Sequence, residues 1–337
     1  MAKYVESREV MGTWATVTLI APDDASARRA ADRAFAALDS VQALMSPRVE
    51  SSEVYRINEA GFEAPQSVSE ATFHVLQRAR ATHQRSQGAF DVTVGPLIRL
   101  WRECAGAERL PTDREIEEAR RKTGCANLIL DPDQHTVRFA VDGMRIDLGG
   151  IAKGYGIDLA VTAARRAGIE RGIVEVGGDL RCFGALPRRL IGQDASTPAN
   201  LGLWRSPTVE DREPVSWPLG LQSPFGEELL GKIRVAGAAV ATSGHYRRYV
   251  TLAGKRYSHI LDPRTGWPVE SPASVTVIAP DALTADALAT SITVLGVEDG
   301  LALAESMPGV EALIVEGEHE KPRLRHTSGF PKVESLD

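Results

Sequence analysis

The stretch RIDLGGIAKGYGID, Arg145 to Asp158, sets Gly149, Gly150, Gly154 and Gly156 between a short apolar run and a helix-like one. Glycines at such a corner let backbone N–H groups approach a phosphate. The spacing is neither G-x-G-x-x-G nor G-x-x-x-x-G-K-[ST]. Lys153 would bring a positive charge into a first helical turn, where the dipole favours acids. A phosphate loop and a tight turn made for close packing fit this spacing equally well. A second stretch, LTADALATSITVLG (Leu283–Gly296), offers Thr284 as an N-cap, Asp286 in the first turn and Thr290 four residues on. Residues four apart share a helix face. A carboxylate and a hydroxyl so placed are hard oxygen ligands, of the kind magnesium takes beside phosphate. First-turn acids also serve the dipole alone, and spacing by itself favours that plainer role.

A third stretch, Ala241–Glu270, gathers His245, Arg247, Arg248, Tyr249, Tyr257, His259, Asp262 and Arg264 into an apparent hairpin. That is more polar and aromatic side chain than a solvated hairpin needs. His259, close to Asp262, could act as a general acid/base or contact an anion. Two weaker stretches read as turns: QGAFDVTVGPLIRLW, with Asp91 and an expected strand ended by Gly95-Pro96, and EVGGDL, with Asp179.

These residues need elements to hold them. VMGTWATVTLI (Val10–Ile20) alternates as a strand, and Asp23 and Asp24 open a helix with Ala27, Ala31, Ala34, Leu38, Val41 and Met45 on one face. Ser67 with Glu70, and Thr112 with Glu115, carry the capping-box spacing, and Gly88 and Gly124 supply the stops. Strands are expected at Leu128–Leu130, Thr136–Ala140 and Arg145–Leu148, then a helix from Ala152 to Ala167 and two strands around Gly177-Gly178. After Leu219 strands return, with a helix opening at Thr284, another at Glu298–Met307, and closing strands at Ala312–Val315 and Arg323–His326. Interleaved helices, strands and hairpins imply mixed α/β (α+β) architecture, with mixed sheets flanked by helices. The proline-rich run at about 185–216 lacks periodicity and reads as a surface insertion in a single domain, 1–337.

Composition narrows the partners. The 337 residues are 43% hydrophobic and 25% charged, as in an ordinary folded protein. A net charge of −6 argues against nucleic acid. No run approaches the roughly 18 apolar residues of a membrane helix. Cys104, Cys125 and Cys182 are too few and too scattered for a disulfide framework or a zinc site, and with no signal-like leader a cytoplasmic location is expected.

Eight segments fall in one order from Met11 to Gly296: MGTWATV, LMSPRVESSEVYRIN, GAFDVTVGPLIRLW, IDLGGIAKGYGID, VEVGGDL, VATSGHYRRYV, GKRYSHILDPRTGWPV and ALTADALATSITVLG. Together they resemble the ApbE family, the FAD:protein FMN transferases. The resemblance implies an FAD cleft between two lobes. It also implies magnesium-dependent transfer of FMN from FAD to a Ser or Thr hydroxyl of a target flavoprotein, with release of AMP. By the same likeness, Asp286, Thr290 and the Gly150 carbonyl hold Mg2+. Met11, Ala89, Phe90, Asp91, Asp147, Lys153 and Ile260 contact FAD, and His259 activates the hydroxyl or stabilises charge.

The chain departs from the family pattern at several places. Arg48 stands where a flavin-facing Tyr is usual, and can stack on the ring or bind phosphate. His245 replaces an Asp, Glu175 replaces an Asn, and the run at 185–216 is longer than usual. Two alternatives follow: a magnesium-dependent FAD pyrophosphatase giving FMN and AMP, and a non-catalytic FAD-binding protein.

Overall fold

The structure, a computed structural model, describes residues 2–185, 216–244, 249–252, 254–270, 272–319 and 321–335. Nearly all of the expected insertion at 185–216 lies outside these residues, as do His245, Arg247 and Arg248.

The chain opens with a hairpin, β1 (Ala2–Val10) and β2 (Thr13–Ala21), followed by the long helix α1 (Asp24–Met45) and α2 (Glu53–Ala60). Next come β3 (Gln66–Ser67), α3 (Glu70–Arg85), α4 (Gly95–Gly106), α5 (Asp113–Arg121), β4 (Leu128–Asp131) and β5 (Thr136–Phe139). Helix α6 (Ala152–Arg166) precedes β6 (Arg171–Val176) and β7 (Asp179–Phe183). Beyond residue 215 lie β8 (Trp217–Gln222), β9 (Leu229–Val235), β10 (Ala239–Gly244), β11 (Tyr249–Leu252), β12 (Lys255–Ser258) and β13 (Ser274–Ala279). The chain closes with α7 (Ala282–Leu295), α8 (Val297–Glu305), β14 (Glu311–Glu318) and β15 (Lys321–His326). Helices flank the sheets in a mixed α/β fold as expected, but the sheets themselves are not mixed: every ladder among the described strands is antiparallel.

Eight strands form the main sheet in the order β1-β2-β6-β7-β10-β13-β14-β15. Helices α1, α6, α7 and α8 cover one face, where Leu19, Phe35, Leu38, Ile157, Val277 and Ile292 are buried together. The β8-β9 hairpin covers part of the other face through Leu221 and Ile233, against Val240 and Ile278. A second core gathers α2, α3, β4, β5 and the loop around Leu148. Helix α1 reaches both cores: Ala27–Leu38 enter the first, and Val41 and Met45 the second. Helix α7 also divides its faces, with Leu288 and Ile292 in the first core and Leu283 and Ala287 in the second. The space between the two cores is therefore held by shared helices rather than by a hinge loop.

Three local expectations are corrected. The helix after Val68 is capped by Ser69, not Ser67, and the matching acid is Glu53 of α2, which accepts from the Ser69 N–H and hydroxyl, both at 2.8 Å. Residues 145–148 form no strand. Instead the Asn58 amide donates to the Ile146 carbonyl at 3.0 Å and accepts its N–H at 2.7 Å, standing in for a neighbouring strand. Gly95-Pro96 ends no strand but starts α4, where proline costs no hydrogen bond.

Candidate active site

Helices α6 and α7 meet at their N-termini, running in opposite directions. The first N–H groups of a helix have no partner within it. Gly154, third in α6, donates its N–H to Oδ2 of Asp286 at 3.1 Å. Asp158 of α6 accepts in return from Ala282 at 2.9 Å and Leu283 at 3.0 Å, the first residues of α7. Arg181 of β7 binds Oδ1 of Asp158 at 2.6 Å. The contact is close because Gly154 lacks a side chain: a methyl there would sit 2.1 Å from the Ala282 carbonyl oxygen.

This packing answers why Lys153 tolerates a first turn. Its ammonium donates to Oδ2 of Asp179 and, at 3.2 Å, to Oδ1 of Asp286. The acids that the α6 dipole favours are supplied by β7 and α7. Desolvation works against the charge on Lys153, but the two carboxylates outweigh it and raise its pKa. Burial pushes the Asp286 carboxyl up to about 6, with Lys153 opposing the shift and Asp179 adding to it. Asp179 is fixed from behind by the Thr242 N–H at 3.0 Å.

Helix α7 starts at Ala282 and is capped by Asp281, whose Oδ1 accepts the Thr284 N–H at 2.8 Å. Thr284 is thus not the cap, and Asp286 lies in the second turn. The four-residue step to Thr290 survives. A methyl built on Gly150 would lie 3.1 Å from the Thr290 hydroxyl oxygen and 3.3 Å from the Phe90 ring. Gly150, Asp286 and Thr290, far apart in sequence, thus line one place and offer only hard oxygen donors, which fits a magnesium-type cation.

Around this place opens a cleft of about 1420 Å³. Its walls include the eleven residues to which the resemblance gives a role, and Arg48: Met11, Arg48, Ala89, Phe90, Asp91, Asp147, Gly150, Lys153, His259, Ile260, Asp286 and Thr290. Met11 sits with Gly12 at the β1–β2 turn, and both have positive φ, 56° and 72°. A methionine there costs about 1 kcal/mol, and the Gln42 side chain of α1 holds it by accepting its N–H. Asp147 accepts the Gly149 N–H at 2.8 Å, and its own N–H bonds the Val92 carbonyl at 2.8 Å. Ile260 packs on Ala89 and Val294. His259 is exposed on the loop between Ser258 and Val269, which the Trp101 indole clamps through the Gly266 carbonyl at 2.9 Å. Asp262, set near His259 by spacing, gives its carboxylate to the Arg264 guanidinium at 2.9 Å, within the turn itself.

Asp91 lines the cleft, yet its carboxylate is engaged elsewhere. Oδ1 accepts from Thr93 N–H at 2.8 Å and Thr93 hydroxyl at 2.6 Å, and Oδ2 from Cys125 N–H at 3.0 Å. Oδ2 also lies 3.3 Å from Nδ1 of His83. His83, Asp91 and Cys125 converge closely enough to suggest a metal. Asp91 is already engaged by two backbone N–H groups and the Thr93 hydroxyl, however, and burial, helped by Asp91, pushes the Cys125 thiol up to about 12. The cluster is a structural anchor for the Ala89–Phe90 wall.

Sequence reasoning left Asp179 as a plain turn residue and gave Asp158 no role. Both are carboxylates next to glycine-rich runs, Asp158 in the second turn of α6 and Asp179 at the start of β7, and that signal was available.

Fold and site define a protein of mixed α and β structure, with a large cleft organised around a carboxylate–ammonium–carboxylate cluster. The chain belongs to the ApbE family, whose profile matches residues 11–314. It is 31% identical to an FAD:protein FMN transferase of Klebsiella pneumoniae over 315 residues, 93% of this chain and 89% of the relative. It is 34% identical to the Vibrio cholerae FAD:protein FMN transferase, over 80% of this chain and 74% of that one. The crystal structure of the ApbE protein from Thermotoga maritima is similar, with a TM-score of 0.81, 32% identity and 97% of both chains covered. The flavin transferase ApbE from Vibrio cholerae aligns at a TM-score of 0.80, with 30% identity over 98% of both chains.

Proposed function

We propose that this protein transfers the FMN part of FAD to a Ser or Thr hydroxyl of a target flavoprotein, releasing AMP. The observation that carries this reading is the meeting of Gly150, Asp286 and Thr290 beside Lys153 in one large cleft. The relatives' activity, as their names give it, fits that cleft. Asp286, Thr290 and the Gly150 carbonyl are the residues that would hold Mg2+, which, when bound, neutralises charge on the pyrophosphate and the leaving group.

The remaining work falls to side chains. Lys153 adds a fixed positive charge where the pyrophosphate binds. Met11, the Ala89–Phe90 wall, Asp147 and Ile260 orient the FAD, while Arg48 faces the flavin. Asp91 supports that wall from behind. His259 takes the proton as the acceptor oxygen bonds to the flavin-side phosphorus and the bond to the AMP oxygen breaks. We read residues 1–337 as one catalytic unit. Three buried free thiols, Cys104, Cys125 and Cys182, support a reducing, cytoplasmic setting, and no helix among the described residues is long and apolar enough to cross a membrane.

The test is incubation with FAD and Mg2+, with and without an acceptor flavoprotein. AMP formed in step with protein-bound FMN, and only with acceptor, is the expected result. AMP and free FMN without acceptor would make the protein a pyrophosphatase, and intact bound FAD a binder. Turnover that survives a chelator would contradict the metal assignment.

A further inference from the structure

The cleft is electrically divided. Lys153 stands against Asp179 and Asp286, and Asp147 lines the same cleft. Along another wall stand Arg99, Arg102 and Arg145, with Glu59 paired to Arg145 at 2.8 Å, in a chain whose net charge is −6. Gly95, Ile98, Arg99 and Arg102 of α4 all line the cleft. Their spacing, i, i+3, i+4 and i+7, is one helix face. Arg145 joins this face at its start, where Val94 and Arg145 form a bridge and a methyl on Gly95 would lie 2.7 Å from the Arg145 Cβ. Seven residues of helix separate Gly95 from Arg102, so the basic strip runs on the order of 10 Å along α4.

We infer that this strip receives an acidic segment of the acceptor polypeptide around its modified hydroxyl. The inference rests on the transfer reading above. Three features favour a chain over a compact phosphate. Guanidinium groups that bind one phosphate converge on it, whereas these are strung along a helix. The volume, about 1420 Å³, exceeds the roughly 300–1,000 Å³ of single-ligand pockets, leaving space for a second reactant. Two of the arginines are also free to exchange partners. Arg99, with its side chain 66% exposed, holds Glu103 at 2.7 Å in a surface pair of little strength, and Arg102 is exposed.

The experiment uses the full chain loaded with FAD and Mg2+. The probes are two dye-labelled peptides, one with a single Thr among Asp residues, the other with Asn replacing every Asp. Anisotropy should show the acidic peptide binding about tenfold more tightly at low salt, with the preference shrinking as salt screens the charges. The double variant Arg99→Glu/Arg102→Glu should lose that preference while its FAD affinity, read from flavin fluorescence, stays unchanged. Equal binding of the two peptides, or a preference that survives the double reversal, overturns the inference. So does loss of FAD affinity in the double variant, which would assign the strip to the phosphates of FAD. Charge-selective peptide binding in a protein that releases no AMP with any acceptor would support the strip and count against the transfer reading alone.

Discussion

Asp158 and Asp286 each hold the N-terminus of the helix that carries the other. Asp158 accepts from Ala282 and Leu283, and Asp286 from Gly154. This exchange fixes how far α7 slides along α6, and so where Asp286 and Thr290 stand relative to Gly150. Asp158→Ala would orphan two buried N–H groups and leave Arg181, only 23% exposed, without its carboxylate. The expected loss is about 3 kcal/mol, measured by denaturant unfolding, together with weaker Mg2+ binding by calorimetry. Stability equal to that of the parent would refute the structural role.

Asp91 gives a contrasting prediction, because its carboxylate is buried and already bonded. Asp91→Ala should lower unfolding stability by about 2–4 kcal/mol in the absence of FAD, since Thr93 and Cys125 lose their acceptor. FAD affinity should fall as a consequence, as the Ala89–Phe90 wall loosens. A variant of unchanged stability that no longer binds FAD would instead make Asp91 a direct ligand.

Two glycines separate packing from helix propensity. At Gly154 an added methyl meets the Ala282 carbonyl oxygen at 2.1 Å, and backbone must move. At Gly106, the last residue of α4, nothing lies within 4 Å of the added methyl. Gly154→Ala should therefore cost roughly 3 kcal/mol or more, in the range of overpacking and lost buried bonds. Gly106→Ala should be neutral, or stabilising by up to about 1 kcal/mol. Thermal unfolding of the two variants side by side checks both.

What could be read in advance was whatever a short window contains. The apolar face of α1, the capping box of Thr112 and Glu115, and the i, i+4 step from Asp286 to Thr290 are local, and each is found in the structure. The misses came where a partner from elsewhere replaced the local one. Glu53 completes the cap at Ser69 from another helix, and Asn58 satisfies Ile146 in place of a strand. The α7 start was misjudged for a different reason: Asp281 and Thr284 both suit a cap, and only the backbone path decides between them. The candidate site was legible as a set of residues because eight separate motifs resembled one family. Its internal wiring through Asp158, Asp179 and Asp91 depends on contacts that no spacing contains.

His259 should separate binding from chemistry. It lines the cleft on a clamped loop whose neighbour Ile260 packs on Ala89. Replacing His259 with Ala leaves that packing in place, so FAD affinity should change by less than about threefold. Transfer should fall by roughly a hundredfold or more, the usual yield of a positioned acid or base. Single-turnover transfer, measured beside FAD binding, checks the split. Unchanged transfer would remove His259 from the mechanism.

Burial raises the Asp286 carboxyl from 3.8 to about 6, while a metal needs the carboxylate. Proton and metal therefore compete, and apparent Mg2+ affinity should fall about tenfold for each pH unit below about 6 and level off above about 7. The sign for stability is opposite in the metal-free protein. A carboxyl with a raised pKa keeps its proton in the folded state after the unfolded chain has released it. Its contribution is thus fullest below about pH 4 and is lost as pH rises through about 6. Added Mg2+ should reverse that trend, stabilising most at neutral pH, where the carboxylate is free to bind. Calorimetric titration and thermal unfolding between about pH 5 and pH 8, with and without Mg2+, test both signs. In Asp286→Asn both dependences should vanish. A metal affinity that is flat across this range would mean that Asp286 does not hold the cation.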